Sequence, residues 1–154
     1  MSAIFDPALA RRLARDIEGD VLFDDASRGR YSTDASIYQI LPVGVVVPRT
    51  EDGVATAIAI AREAGIPVLP RGAGTSQCGQ TVGAALVIDT SKHLNRVVEI
   101  DADARTVRVE PGVVLDRLNA QLRPMGLWYP VDVSTAAQAT IGGMAGNNSC
   151  GARS

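Results

Sequence analysis

The sequence is poor in residue types that mark several functional classes. Aromatic residues make up 4% of its 154 residues, too few for the stacking platforms that grip single-stranded nucleic acid. Lys and Arg number 15 against 17 Asp and Glu, so no basic excess faces a phosphate backbone, and nucleic acid is not an expected partner. One histidine, His93, and two cysteines, Cys78 and Cys150, offer no metal-ligand spacing, and no metal site is expected. So few cysteines exclude a disulfide framework and suit a reducing compartment. The expected location is therefore cytoplasmic, peripheral to a membrane at most. Apolar runs such as Val43–Val47 are far too short to span a bilayer, so no membrane span is expected. The first residues, Met-Ser-Ala-Ile-Phe-Asp, lack a basic segment followed by an apolar stretch, which argues against a signal peptide.

What is present is ordinary for a globular chain: 46% apolar and 21% charged residues. Asp6-Pro7 reads as an N-cap with proline in the first helical position, and Leu9, Leu13 and Ile17 follow on one face, with Gly19 as the stop. Arg11, Arg12 and Arg15 form a solvated face. Gly29–Ile40 has no period and reads as an irregular arm. Val43–Val47, closed by Pro48, predicts a buried strand. Thr50 caps a helix with Glu51 and Asp52 in its first turn; Val54, Ile58 and Ala61 are its expected inner face, and Gly65 ends it. Ile66–Leu69 predicts the next strand, and strand, helix, strand at this spacing is a βαβ unit with parallel strands. Ala85–Ile88 is a further strand. Val97–Ile100 and Thr106–Glu110, joined by a turn at Asp101–Ala104, predict an antiparallel hairpin. Leu115, Leu118 and Leu122 mark a short amphipathic helix that ends near Gly126. The expected fold is α+β. A helical arm (1–35) precedes a small parallel α/β lobe (36–90), and the start of an antiparallel lobe (91–154) follows. The chain stops directly after a Gly/Asn-rich stretch, and it is expected to be the front part of a longer protein.

Two segments carry chemistry. In Arg71–Gln80, Gly72, Gly74 and Gly79 permit positive φ and close approach of a ligand to the backbone, and successive inward N–H groups make an anion-binding concavity. Thr75 and Ser76 add hydroxyls and Arg71 offers a charge. The Walker A motif is absent, since no Gly-Lys-Ser/Thr follows the first glycine. The dinucleotide fingerprint fails as well: Gln77 stands where its third glycine belongs, and the loop runs into a strand rather than a helix. On spacing alone an anion cradle and a tight inter-strand turn both remain open. The second segment, Ala139–Gly151, holds too many glycines for a packed helix. Thr140 can cap a short turn, and Asn147, Asn148 and Ser149 offer side-chain hydrogen bonds and tolerate left-handed geometry. A ligand-lining segment and a flexible terminus both stay open there. Cys78 and Cys150 read as small packing residues, since no Lys or His flanks them. His93 reads as a surface or turn residue, with no carboxylate partner placed by spacing.

The order Arg71-Gly-Ala-Gly-Thr-Ser76, a strand ending Val87-Ile-Asp-Thr-Ser91, Thr106-Val-Arg-Val-Glu-Pro-Gly-Val113, Leu118-Asn119, Tyr129-Pro-Val-Asp132 and Ala139-Thr-Ile-Gly-Gly143 resembles the FAD-linked oxidase family with the PCMH-type (vanillyl-alcohol-oxidase-like) FAD-binding fold. Within it the chain is most similar to the D-lactate, glycolate and D-2-hydroxyglutarate dehydrogenases. Ser36–Pro42 and Gly146–Ser154 resemble long members that carry iron–sulfur motifs further on. The resemblance implies an FAD-dependent oxidation of a D-2-hydroxy acid to the 2-oxo acid, with electrons passed to a quinone, cytochrome or iron–sulfur acceptor. It implies that Gly72, Ala73, Gly74, Thr75 and Ser76, with Gly79 and Gln80, hold the FAD pyrophosphate. Pro130 and Asp132 would lie near the flavin. Thr140, Gly142, Gly143, Asn147, Asn148, Ser149, Cys150 and Gly151 would line the cofactor channel. Some relatives tether the flavin through a histidine in the first loop; Thr75 and Ser76 stand in that region here, so noncovalent FAD is expected. Substrate-handling histidines and arginines of the family belong to a later cap domain, so no catalytic residue is assigned. Other flavoenzymes of this fold, such as a cell-wall precursor reductase or a molybdenum-hydroxylase flavin domain, and a nucleotide-binding module without its own activity, are the competing readings.

Overall fold

A computed structural model of the chain describes residues 6–151. Helix α1 (Pro7–Asp16) starts as expected, with the Asp6 carboxylate accepting from the amides of Ala8 and Leu9 at 2.8 and 3.3 Å. It stops at Asp16, before Gly19, because Gly19 already belongs to a strand, β1 (Gly19–Leu22). That strand pairs antiparallel with β2 (Gly44–Pro48), so the region read as a helical arm contributes an edge to the first sheet. Four residues with an aspartate among them are too short to show alternation, which hid the strand. Helix α2 (Asp25–Arg30) follows, capped by Asp24, whose Oδ1 accepts from the Ser27 amide at 2.8 Å.

Helix α3 (Glu51–Glu63) joins β2 to β3 (Val68–Arg71). Its start is fixed by Thr50, whose Oγ1 accepts from the Gly53 amide at 3.1 Å. Its end is a Schellman turn: Gly65 N–H donates to Arg62 and Ile66 N–H to Ala61, with Gly65 at φ 66°. The buried face is Gly53, Ala57, Ile60 and Ala61 rather than Val54, Ile58 and Ala61. Ile58 is 46% exposed, and Val54 is only partly buried at the edge of the core. Small residues at i, i+4 and i+8 let the helix lie close to the sheet, and packing distance decided the face over side-chain size.

Strand β4 (Leu86–Asp89) inserts between β2 and β3, giving the order β1-β2-β4-β3 with the last three parallel. The βαβ strands are therefore parallel but not neighbours. All four β4 residues are buried, as a central parallel strand requires. One face of the sheet meets α1 and α3 through Leu9, Leu13, Ile17, Val46, Ile60 and Ile88. Leu13 is fully buried, and truncation to alanine there would cost about 2–5 kcal/mol.

The second part begins with the hairpin β5 (Val97–Asp101) and β6 (Thr106–Val109), against which α4 (Leu115–Leu122) buries Leu118 and Leu122. Buried Glu110 binds the Arg96 amide at 2.7 Å and its guanidinium at 2.7 and 3.0 Å. Those bonds hold the Glu110 carboxyl below the usual glutamate range. The glycine-rich stretch after Thr140 does form a helix, α5 (Ile141–Gly146), against expectation. Thr140 Oγ1 caps it by accepting from Gly143 N–H at 3.3 Å, and Met144 anchors it beside Leu115 and Ala139. Among the described residues no helix is long and apolar enough to cross a membrane, and no group of His, Cys, Asp and Glu could hold a metal.

Candidate functional site

Open sheets with parallel strands bind ligands outside the carboxyl ends of those strands. Here that edge carries the glycine-rich loop, which leaves β3 at Arg71 and re-enters at β4. Gly74 and Gly79 take φ of 70° and 73°, a region that residues with a Cβ adopt at a cost. The two left-handed turns fold the loop back on itself. Ser76 fixes the fold: its hydroxyl donates to Gln80 Oε1 at 2.7 Å and accepts from the amides of Cys78 and Gln80 at 3.2 and 3.4 Å.

Among the described residues, the main-chain N–H groups of Gly72, Ala73, Gly74, Thr75, Ser76 and Gln77 donate to no protein acceptor. Amides left this way normally face water or a ligand. The loop contains no acidic residue, and Asp89, which stands beside Arg71 in the sheet, is buried and turned to other donors. It accepts from Tyr31 O–H at 2.6 Å, Ser91 N–H at 2.8 Å and Ser91 O–H at 2.6 Å. Burial and the bond to Asp89 push the Tyr31 phenol well above its usual range. A run of open amides with no facing carboxylate fits a diphosphate.

Arg71 plays another part than the charge read for it from sequence. Its guanidinium donates to the carbonyls of Tyr31, Thr33 and Thr81 at 3.2, 2.8 and 3.0 Å and lies 5.3 Å from the Tyr31 ring centre. It ties the loop to residues 31–34 from behind. Lys92 lies 5.9 Å from the same ring. Tyr31, Arg71, Gly72, Ala73, Asp89 and Lys92 are among the residues around an open depression of about 300 Å³.

The structure brings the two expected segments together at one point. A Cβ on Gly72 would run into Thr140 Oγ1, so the loop passes directly over the cap of α5. The α5 amides themselves are occupied: Ile141 donates to Val113, Gly142 to Pro111 and Gly143 to Thr140. Asn148 adopts φ 48°, the left-handed geometry expected of it, and Asn147 Nδ2 donates to Ser149 Oγ at 2.9 Å. Gly151 packs on the main chain of Asp132, a second junction between expected site residues. Pro130 and Cys150 are exposed, and Cys78 and Cys150 are free thiols. Arg153 and Ser154, at the end of the stretch that resembles long family members, lie outside the described residues.

Sequence reasoning missed Tyr31 and Tyr38, which sit in the arm read as irregular. Tyr38 packs against Gly79, where a Cβ would meet its ring. The available signal was Asp89, a charged residue at the end of an otherwise apolar strand. The carboxylate nearest His93 is Asp20, whose Oδ2 lies 3.9 Å from Nε2, beyond hydrogen-bond reach, and Nε2 is buried without a hydrogen-bond partner among the described residues. The unforeseen strand β1 is what carries Asp20 to that position.

Comparison with known proteins follows the same line. The sequence profile of the family described as FAD binding domain matches residues 42–154. The chain is 43% identical over 141 residues to a D-2-hydroxyglutarate dehydrogenase of Pantoea ananatis, covering 90% of this chain and 14% of that protein. It is 40% identical over 145 residues to the glycolate oxidase subunit GlcD of Bacillus subtilis, covering 89% of this chain and 30% of that one. Among solved structures, an alkyldihydroxyacetonephosphate synthase superposes with a TM-score of 0.84 at 20% identity, over 96% of this chain and 33% of that chain, which shows a shared fold. The chain spans a third or less of the length of these relatives.

Proposed function

Because the chain belongs to the FAD binding domain family and has its α+β, PCMH-type fold, we propose that it binds FAD noncovalently as part of an enzyme that oxidises a D-2-hydroxy acid to the 2-oxo acid. The observation that carries this reading is the run of amides from Gly72 to Gln77 with no protein acceptor. These N–H groups take the FAD diphosphate, with Gly79 and Gln80 closing the loop behind it. Arg71 holds the loop in shape rather than pairing with the phosphates. Thr140 supplies a hydroxyl at the Gly72 end. Gly142, Gly143 and the stretch Asn147–Gly151 line the channel by shape, since the α5 amides are engaged. Pro130 and Asp132 lie toward the flavin. The cofactor then sits between the lobes 36–90 and 91–154.

Bound FAD supplies a two-electron acceptor for the hydride on the hydroxyl-bearing carbon of the substrate. The role of this chain is to bind and orient that group. No histidine stands in residues 71–80, which supports noncovalent attachment. The substrate class is taken from the named activities of relatives at 40–43% identity. Electrons pass on to a quinone, cytochrome or iron–sulfur acceptor, and any cluster belongs to the part of the relatives that this chain does not span. A cytoplasmic enzyme, peripheral to a membrane at most, fits this reading.

The test is a titration of the purified protein with FAD and with riboflavin, followed by absorbance and emission in the flavin bands. FAD is expected to bind at least about a hundredfold tighter, because several amide bonds to a charged linker are lost with riboflavin. Equal affinities would remove the diphosphate from the loop and end the argument. Anaerobic bleaching of the flavin by D-2-hydroxyglutarate, D-lactate or glycolate, expected in the full-length enzyme and not in this chain alone, then identifies the acid.

A further inference from the structure

Resting on that reading, we propose that Tyr38, flanked by Ile37, is a cofactor-positioning residue whose ring forms the wall against which the flavin ring of FAD stacks. Residues 31–38 are bolted to the glycine-rich loop at both of its ends. On the Arg71 side the guanidinium donates to the carbonyls of Tyr31 and Thr33. At the far side, Thr81 donates its amide and hydroxyl to Asp34 Oδ2 at 3.4 and 3.0 Å. Two local bonds then steer the chain toward the loop: Ser36 N–H to Asp34 Oδ1 at 2.8 Å, and Tyr38 N–H to Ser36 Oγ at 3.1 Å. The result is a tyrosine ring set on Gly79, at a glycine whose missing Cβ makes room for it.

The rest of that ring is open. Tyr38 is 53% exposed and Ile37 94%, while Ile40 and Leu41 beside them are each 42% exposed. Single exposed apolar residues need no explanation, but four within five positions on a segment held by six hydrogen bonds form a fixed apolar surface. The loop is thus asymmetric. Its Gly72 end adjoins Arg71, Lys92 and Arg30 around the depression, and its Gly79 end adjoins Tyr38. FAD has the same polarity: a charged linker, and beyond the ribityl chain a flat, uncharged ring system. With the diphosphate on the amides of 72–77, an aromatic face at Gly79 suits that ring. An offset aromatic stack adds about 1–3 kcal/mol in comparable base-stacking sites, or about thirtyfold in affinity at its middle.

The experiment compares the protein with Tyr38→Phe, Tyr38→Ala and Ile37→Ala, each titrated with FAD and with ADP. Tyrosine stacked on a flavin quenches its emission by electron transfer, and phenylalanine does not. Tyr38→Phe is therefore expected to keep the FAD Kd within about twofold while bound FAD regains emission, a readout that a purely structural role would not move. Tyr38→Ala is expected to raise the FAD Kd about thirtyfold and leave the ADP Kd unchanged. Ile37→Ala, which touches neither the loop nor Gly79, gives a smaller rise of about threefold. If Tyr38→Phe stays as quenched as the parent, or if Tyr38→Ala weakens ADP as much as FAD, the flavin is elsewhere and the proposal fails while the loop reading stands. If the parent binds no FAD, the loop reading fails first and takes this proposal with it.

Discussion

Replacing Arg71 with lysine separates two roles that one side chain combines on paper. As a charge beside a diphosphate, lysine would serve nearly as well as arginine. As a brace it would not, because the guanidinium reaches three carbonyls on two separate segments, at residues 31–33 and at Thr81. A single ammonium cannot reproduce that fork. A hydrogen bond from a charged donor contributes about 1.5–3 kcal/mol when buried, and these are partly wet, so about 0.5–1 kcal/mol each is the better figure. The stacking on Tyr31 at 5.3 Å adds about 0.5–1 kcal/mol. Arg71→Ala should therefore cost about 2–4 kcal/mol, and Arg71→Lys more than half of that. Both should also weaken FAD about tenfold, since the amides of Gly72–Gln77 lose the support that fixes their direction. Urea denaturation gives the stabilities, and FAD titration at low and high salt gives the affinities. With Arg71 as a brace, the lysine variant resembles alanine and keeps the salt dependence of the parent. A lysine variant with parental stability and FAD affinity, beside an alanine variant that loses affinity in a salt-dependent way, would refute it.

Gly79→Ala places a Cβ at φ 73° and against the Tyr38 ring, so it should cost about 1–3 kcal/mol and raise the FAD Kd, checked by denaturation and titration. Glu110 has a depressed carboxyl pKa in the folded state, so its stabilisation is complete above the ordinary glutamate range and is lost as pH falls through that range toward the lower folded value. Stability measured from pH 6 down to about pH 3 should fall, and Glu110→Gln, about 1–3 kcal/mol less stable at neutral pH, should flatten that limb. Tyr31 shows the opposite sign: folding favours its neutral phenol, so stability holds below the ordinary tyrosine value of 10.0 and falls as pH rises past it. Tyr31→Phe should abolish that alkaline limb and cost about 1–3 kcal/mol, because buried Asp89 loses a hydrogen-bond donor.

Local chemistry was legible wherever one short segment contains all the causes. Asp6-Pro7, Thr50 with Glu51 and Asp52, and Gly65 fix helix ends by hydrogen bonds within four or five residues, and each fell where the sequence placed it. Val45, Val46 and Val47 announced a buried strand by composition, Val87 and Ile88 a further strand, and the strand–helix–strand spacing announced parallel pairing. What failed depended on partners far away in sequence. β1 exists because the edge of β2 was free to accept Gly19–Leu22, and nothing within residues 19–22 reports that edge. The inner face of α3 turned on how closely a helix can approach the sheet, which favours Gly53 and Ala57 over the bulkier Val54 and Ile58.

The site divides along the same line. The glycines of residues 72–79 and the absence of acids among them were legible in the chain, but whether they made an anion cradle or a tight turn was not; the open amides of residues 72–77, on which the proposed diphosphate site rests, show only in the fold. The partners that give this cradle a direction were invisible, because each arrives through tertiary structure: Asp34 reaches Thr81, Arg71 reaches back to Tyr31, and Thr140 meets Gly72 from the other lobe. This last contact also explains why a glycine-rich stretch became a helix. Thr140 holds Gly143 N–H and so starts α5, while the same side chain fills the space that a Cβ at Gly72 would take. One threonine thus couples the second lobe's local order to the position of the first lobe's loop. Thr140→Val keeps the shape but removes the cap, at about 1 kcal/mol, and loosens both elements together. Thr140→Ser keeps both the cap and the oxygen at Gly72, and should match the parent in urea denaturation and FAD titration where Thr140→Val does not.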